Sequence, residues 1–285
     1  MSSIKDRQRA AARARLEKEM AERAEAARKR RNRQAVIGSA LAVVVVAGLA
    51  FWLVTSLDKD DDKTEASAPG NPPGTVACTW TPEDASAGGK IKDVGTPPPN
   101  APNTGKDTLT LSTNLGDITA TVDKAKAPCT AAAFEYLASK KFWDNTKCHR
   151  MTTEGIKVLQ CGDPSATGKG YRETDGSGGP SFRYPEENLP KAAPNPSDPA
   201  AAAANYPRGT IAMAKTQAPA STGSQFFIVY GDTQLDPSYT VLGTITKGLD
   251  IVDKVAKAGV NVKGQPGDGT PKLEVNIKTL TMTPA

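Results

Sequence analysis

Residues 106–285 of this 285-residue sequence predict a mainly β fold, a closed β-barrel with helices at its ends. Three observations carry the prediction. Short runs with period-two alternation recur along these residues. Just two stretches carry apolar residues at helical spacing. The connections between them are rich in Gly and Pro, as turns between short strands require.

The elements follow in order. L-T-L-S-T-N-L-G-D-I-T-A-T-V (109–122) alternates on both sides of N-L-G-D and reads as a hairpin. A-P-C-T-A-A-A-F-E-Y-L-A-S-K-K-F (127–142) places Phe134, Leu137 and Ala138 on one helical face, with Pro128 suited to the first turn. C-H-R-M-T (148–152) and K-V-L-Q-C-G-D (157–163) are two short strands around T-E-G. Residues 162–207 form a long polar excursion ending in an alanine run. G-T-I-A-M-A, T-G-S-Q-F-F-I-V-Y and Y-T-V-L-G-T-I are three further strands. In K-G-L-D-I-V-D-K-V-A-K-A (247–258), Leu249, Val252, Val255 and Ala256 share the inner face of a second helix. L-E-V-N-I-K-T-L-T-M closes the domain.

The N-terminal part is different in kind. Residues 1–34 hold 12 Lys/Arg against 5 Asp/Glu and are built of strong helix formers. Ala35 to Leu57 is uncharged over 23 residues, enough to cross a bilayer core. R-K-R-R-N-R precedes this run and D-K-D-D-D-K follows it, so the positive-inside rule places residues 1–34 in the cytoplasm and the remainder outside. Ala66-Ser67-Ala68 resembles a cleavage site but lies far beyond the apolar run. The expectation is a single-pass cell-membrane protein. Residues 1–34 are a basic cytoplasmic helical segment, 35–57 a transmembrane helix, 58–105 a disordered Pro/Gly/acidic linker and 106–285 the barrel domain. The net charge of +5 resides in the N-terminus, and residues 58–285 are slightly acidic, so nucleic acid is not an expected partner. Cys78, Cys129, Cys148 and Cys161 all fall on the outer side, where disulfides persist. Cys148 and Cys161 flank one hairpin, which favours the pairs Cys148–Cys161 and Cys78–Cys129. With one His and no C-x-x-C, no metal site is expected.

The chemistry is expected where polar residues interrupt apolar strands. Alternation puts Gln225 and Phe227 on one face and Phe226 and Ile228 on the other. An amide beside an aromatic ring makes a poor core and a good binding surface. Arg150 and Gln160 interrupt the two strands of one hairpin and can face each other. A serine-hydrolase triad of His149, Asp163 and Ser224 can be drawn, but T-G-S-Q-F is not the sharp-turn motif of that chemistry.

T-G-S-Q-F-F-I after G-T-I-A-M-A, with F-W-D-N-T-K-C-H-R, V-L-Q-C-G-D and Y-T-V-L-G-T-I-T-K-G-L-D-I-V-D in this order, resembles the cyclophilin-type peptidyl-prolyl isomerases. The resemblance covers roughly residues 107–283 and is nearest to membrane-anchored extracytoplasmic members from actinobacteria. It implies an eight-stranded antiparallel barrel capped by two helices and an isomerase acting on X-Pro bonds. Cofactors are not implied, the clients are proline-containing polypeptides and the enzyme is a monomer. Carried over by position, Arg150 matches the catalytic arginine and Gln160 the glutamine that orients it. Phe227 matches the floor of the proline pocket, with Val158 and Leu235 at its walls and Gln225 as a substrate-facing amide. Ala214, Lys215 and Thr216 match the edge that bonds the substrate backbone, Tyr239 a rim position, and His149, next to Arg150, joins the substrate-binding set.

Four departures stand out. The Arg150–Gln160 connection is two residues longer than the family pattern. It reads G-I-K-V where an aromatic is usual. Gln234 replaces a tryptophan associated with cyclosporin binding, and Lys215 a common Asn. A looser pocket with weak cyclosporin affinity is therefore expected. The alternative reading is a catalytically weak module that binds proline peptides as a chaperone or scaffold.

Overall fold

The computed structural model describes residues 71–83, 90–195 and 198–285. The expected cytoplasmic segment, the transmembrane helix and the linker up to residue 70 lie outside the described residues. Among the described residues no helix is long and apolar enough to cross a membrane.

Residues 71–105 supply β1 (Thr75–Ala77), β2 (Thr81–Pro82), β3 (Lys90–Lys92) and β4 (Asn100–Pro102). Then come β5 (Lys106–Thr113), β6 (Gly116–Asp123), helix α1 (Pro128–Ser139), β7 (Thr146–Lys147), β8 (Arg150–Thr152) and β9 (Val158–Cys161). The long excursion contributes β10 (Gly178–Pro180), β11 (Phe182–Arg183), β12 (Ala193–Asn195) and β13 (Asp198–Tyr206). The chain continues through β14 (Thr210–Met213), β15 (Phe226–Val229), β16 (Thr233–Leu235), β17 (Val241–Lys247) and helix α2 (Leu249–Ala258). It ends in β18 (Val260–Val262), β19 (Asp268–Pro271) and β20 (Asn276–Pro284).

The main sheet runs β18-β19-β8-β9-β15-β14-β17-β6-β5-β20-β7. Its last member, β7, leads through Cys148 and His149 straight into β8, so the ribbon closes on itself. With β7 and β8 taken as one bent strand and the β18–β19 hairpin set aside, eight antiparallel strands form the barrel. Closure removes the open strand edges that invite aggregation. The interior is filled by alternating residues from every strand, among them Leu109, Ile118, Met151, Leu159, Ile211, Phe226 and Ile228. Helix α1 closes one end with Phe134 and Leu137 fully buried, and Phe134 packs on Trp143 at 4.9 Å and Phe226 at 5.7 Å. Helix α2 buries Val252 and Val255, with Leu249 and Ala256 partly buried on the same side, as their spacing predicts.

The linker reading of residues 58–105 needs correction over its described part, which is a strap bound to the barrel. β1 pairs with β4, β2 with β11, and β3 runs parallel to β10. Trp80 sits edge-on to Phe182 at 5.4 Å and Tyr184 at 5.5 Å, and donates to the Pro98 carbonyl at 3.0 Å. Arg183 grips Glu83 with two hydrogen bonds of 2.6 and 2.9 Å. Cys78–Cys129 staples the strap to the first turn of α1, and Cys148–Cys161 staples the β8–β9 hairpin, both as expected. Strap strands of two or three residues are too short to show a period, and their stability comes from pairing with distant strands.

Candidate active site

The outer face of the barrel wall carries the polar residues. Register pairs Arg150 with Gln160, Gln160 with Phe227, and Phe227 with Ala212. Directly paired residues share a face, so these four form a line across β8, β9, β15 and β14. The opposite face of the same strands holds the core residues Met151, Leu159, Phe226 and Ile211. The predicted split between Gln225/Phe227 and Phe226/Ile228 is thus found.

A hydrogen-bonded chain runs along this line. Arg150 Nη1 donates to Gln160 Oε1 at 3.2 Å, and Gln160 Nε2 donates to Gln225 Oε1 at 3.0 Å. Gln225 Nε2 spends both protons on the carbonyls of Gly176 (2.7 Å) and Gly178 (2.9 Å). The loop offering these carbonyls is folded around buried Asp163, which accepts from the backbone N–H groups of Ser165 and Gly176. Gly178 must remain glycine here, because a Cβ would lie 2.1 Å from Asp163 Oδ1. Gln225 lines a pocket of about 250 Å³ with Ala214, Lys215, Thr216 and Arg183, yet both its amide protons are engaged and its oxygen braces Gln160.

Next to Arg150 lies an apolar cavity of about 150 Å³. Phe227, Val158, Leu235, Ile156, Ala214, Lys215 and Tyr239 line it with Arg150 and Gln160. Phe227 meets Tyr239 edge-on at 5.6 Å. Tyr206 supports the rim, its one hydroxyl proton shared between the carbonyls of Asp236 and Tyr239, both at 3.1 Å. Ile156 occupies the place where sequence reading finds only a missing aromatic. The Thr152 hydroxyl, bonded to the Ile156 carbonyl at 2.7 Å, turns the long β8–β9 loop inward. Thr216 lines the larger neighbouring pocket and not this one. Gln234 is exposed and reaches Asn205 at 3.4 Å.

Two residues missed by sequence reading complete the site. Tyr206 belongs to an excursion read as loop, although the alanine run before it forms β13, paired to β16. Asp268 opens β19 just after a Gly-rich turn and carries no local signal of function. It accepts from Arg150 Nε at 2.9 Å and Nη2 at 2.7 Å. This carboxylate raises the Arg150 pKa above its ordinary value, outweighing burial.

His149 needs relocation. It is buried, its ring lies against Gly176, and it faces a cavity on the far side of Arg150 from the apolar one. It supports the loop that braces Gln225 and does not line the apolar pocket. A triad with Asp163 and Ser224 is not formed, because Ser224 Oγ donates to the Gly162 carbonyl at 2.8 Å. Desolvation by burial lowers the His149 pKa from 6.5 to about 4, opposed by Asp163 and Asp175 and assisted by Arg150. Above pH 6.5 the imidazole is neutral in both folded and unfolded chains. Below it, the unfolded chain takes a proton that the folded chain refuses until about pH 4. Stability contributed by the neutral ring is therefore lost as pH falls from about 6.5 to about 4, by about 3 kcal/mol. The single histidine makes this simple to check, since its ring NMR signals should not titrate between pH 8 and 5.

The family described as cyclophilin type peptidyl-prolyl cis-trans isomerase/CLD matches residues 108–282. A Mycobacterium leprae protein named probable peptidyl-prolyl cis-trans isomerase B is 41% identical over 217 residues, covering 73% of this chain and 67% of that protein. A Mycobacterium tuberculosis protein of the same name is 39% identical over 203 residues, 67% of this chain and 61% of its own length, so this chain spans less than two thirds of that relative. A solved Cryptosporidium parvum cyclophilin type peptidyl-prolyl cis-trans isomerase, studied in the presence of the dipeptide Ala-Pro, is 24% identical. The match covers 61% of this chain and 98% of that one, with a TM-score of 0.46.

Proposed function

Because the chain belongs to the cyclophilin-type peptidyl-prolyl cis-trans isomerases, we propose that its barrel speeds X-Pro isomerisation in secreted or envelope proteins, with Arg150 as the catalytic residue. One observation carries this reading: an anchored guanidinium stands at the edge of a cavity of about 150 Å³ walled by Phe227, Val158, Leu235 and Ile156.

Peptide-bond rotation costs about 18–20 kcal/mol because resonance is lost. As the bond twists, the prolyl nitrogen regains a lone pair. Arg150 donates a hydrogen bond to that lone pair, which the planar ground state does not offer. Binding that strengthens only in the transition state raises the rate. Phe227, Val158, Leu235 and Ile156 hold the pyrrolidine ring and exclude water from that hydrogen bond. Gln160 holds the guanidinium, and Gln225 holds Gln160. The chemistry calls for no cofactor or metal.

The place of action rests on the sequence. The uncharged run 35–57 and the basic stretch before it support an anchored chain with residues 1–34 inside and the barrel outside. Two disulfides suit an oxidising compartment. We propose a monomer whose partners are proline-containing polypeptides.

Exchange NMR on an Ala-Pro-containing peptide with the oxidised full chain tests the activity. Catalysis should bring the cis and trans signals into exchange within a second, against tens of seconds uncatalysed. Peptide binding without faster exchange would instead identify a proline-binding module.

A further inference from the structure

The guanidinium of Arg150 has five N–H donors. Three are committed inside the protein, two to Asp268 and one to Gln160. Two remain for a ligand. Gln160 alone, through one bond of 3.2 Å, leaves the group free to swivel about that contact. A bidentate carboxylate fixes its plane.

The hairpin that delivers Asp268 is tightly held. Asp268 pairs with Thr152 in register, diagonal to Arg150 on the same face. Its neighbours Gly267 and Gly269 admit no side chain, since a Cβ would come within 2.6 Å of the Glu154 side chain or 2.0 Å of the Asn261 carbonyl. The Gly267 carbonyl accepts from Thr153 N at 2.7 Å, tying the β18–β19 hairpin to the loop that follows Arg150. Asp268 lines the cavity of about 520 Å³ on the other side of Arg150 and not the apolar pocket. The side chains of Arg150 and Asp268 are 42% and 29% exposed. A pair so exposed contributes little to stability, so its consequence lies in orientation.

We propose that Asp268 is a positioning residue of the isomerase: with Gln160 it clamps the Arg150 guanidinium from two sides, so that its two uncommitted N–H groups serve the twisting prolyl bond. The inference rests on Arg150 being the catalytic residue.

The test compares wild type, Asp268→Ala, Asp268→Asn, Arg150→Ala and the Arg150→Ala/Asp268→Ala double variant as oxidised full chains, using exchange NMR on the Ala-Pro peptide. Asp268→Ala should lower kcat between about tenfold and a hundredfold, the range of a misplaced catalytic group, with KM almost unchanged. Asp268→Asn keeps one acceptor and should fall between. In the Arg150→Ala background the second substitution should change nothing, because the residues act as one unit. The Arg150 Nε–H NMR signal, held in wild type, should exchange faster with water in both Asp268 variants. An unchanged or raised kcat in Asp268→Ala, or an equal loss in the Arg150→Ala background, overturns the inference while leaving Arg150 in place. A wild-type rate in Arg150→Ala overturns the reading on which it rests.

Discussion

Arg150→Ala should lower kcat/KM for an X-Pro peptide by about a hundredfold to a thousandfold, as removal of one preorganised donor does elsewhere. The dissociation constant for the same peptide should move far less. The apolar cavity owes its walls to Phe227, Val158, Leu235 and Ile156, none of which contacts depend on the guanidinium for their packing against Ala204, Tyr206 and Ala212. The two readouts separate chemistry from binding, and exchange and titration measured in one NMR sample supply both. A parallel fall in rate and affinity would mean that Arg150 binds the ground state, and the transition-state role would be lost. Arg150→Lys should not rescue the rate, since an ammonium cannot occupy the fork of Asp268 and reach Gln160 and the substrate together.

Removing the strap staple with Cys78→Ala and Cys129→Ala should produce the largest loss of stability. The closed segment spans 51 residues. On the loop-entropy account this constraint is worth about 4 kcal/mol. For a domain of this size that corresponds to a melting decrease of about 8–16 °C. The strap retains Trp80 between Phe182 and Tyr184 and the Arg183–Glu83 pair, so it should still dock at room temperature. Isomerase activity there should therefore stay within about threefold of wild type. Calorimetry and the exchange assay check the two statements separately. An unchanged melting temperature would show that the strap is held without its staple.

The parts of this molecule that could be read from sequence are those encoded by local period. Gln225 and Phe227 reveal a shared face because they lie two residues apart in a strand whose other face is plainly core. Arg150 and Gln160 are legible because each interrupts an apolar strand of one hairpin, and the same hairpin brings Cys148 to Cys161. The two helices announce themselves through Phe134, Leu137, Val252 and Val255. What could not be read depends on distant partners. Trp80 finds Phe182 about a hundred residues away, and Arg150 finds Asp268 at a separation of 118. Tyr206 follows an alanine run, a poor strand former that is ordered by pairing with β12 and β16. Ile156 lines the pocket on a loop bent by hydrogen bonds to the Thr152 and Thr233 hydroxyls.

The alignment of Arg150, Gln160, Phe227 and Ala212 across four strands has a consequence for how such an enzyme can diversify. Their mutual placement is set by ladder register, and a slip of one residue would turn a member to the wrong face. The turn between β8 and β9 lies outside that ladder. It can vary in length without moving these four paired residues, while still placing a side chain such as Ile156 on the cavity beside Arg150. On the proposed mechanism, substrate preference and reaction chemistry are carried by physically separable parts of the chain, and this turn is the natural place to graft new selectivity.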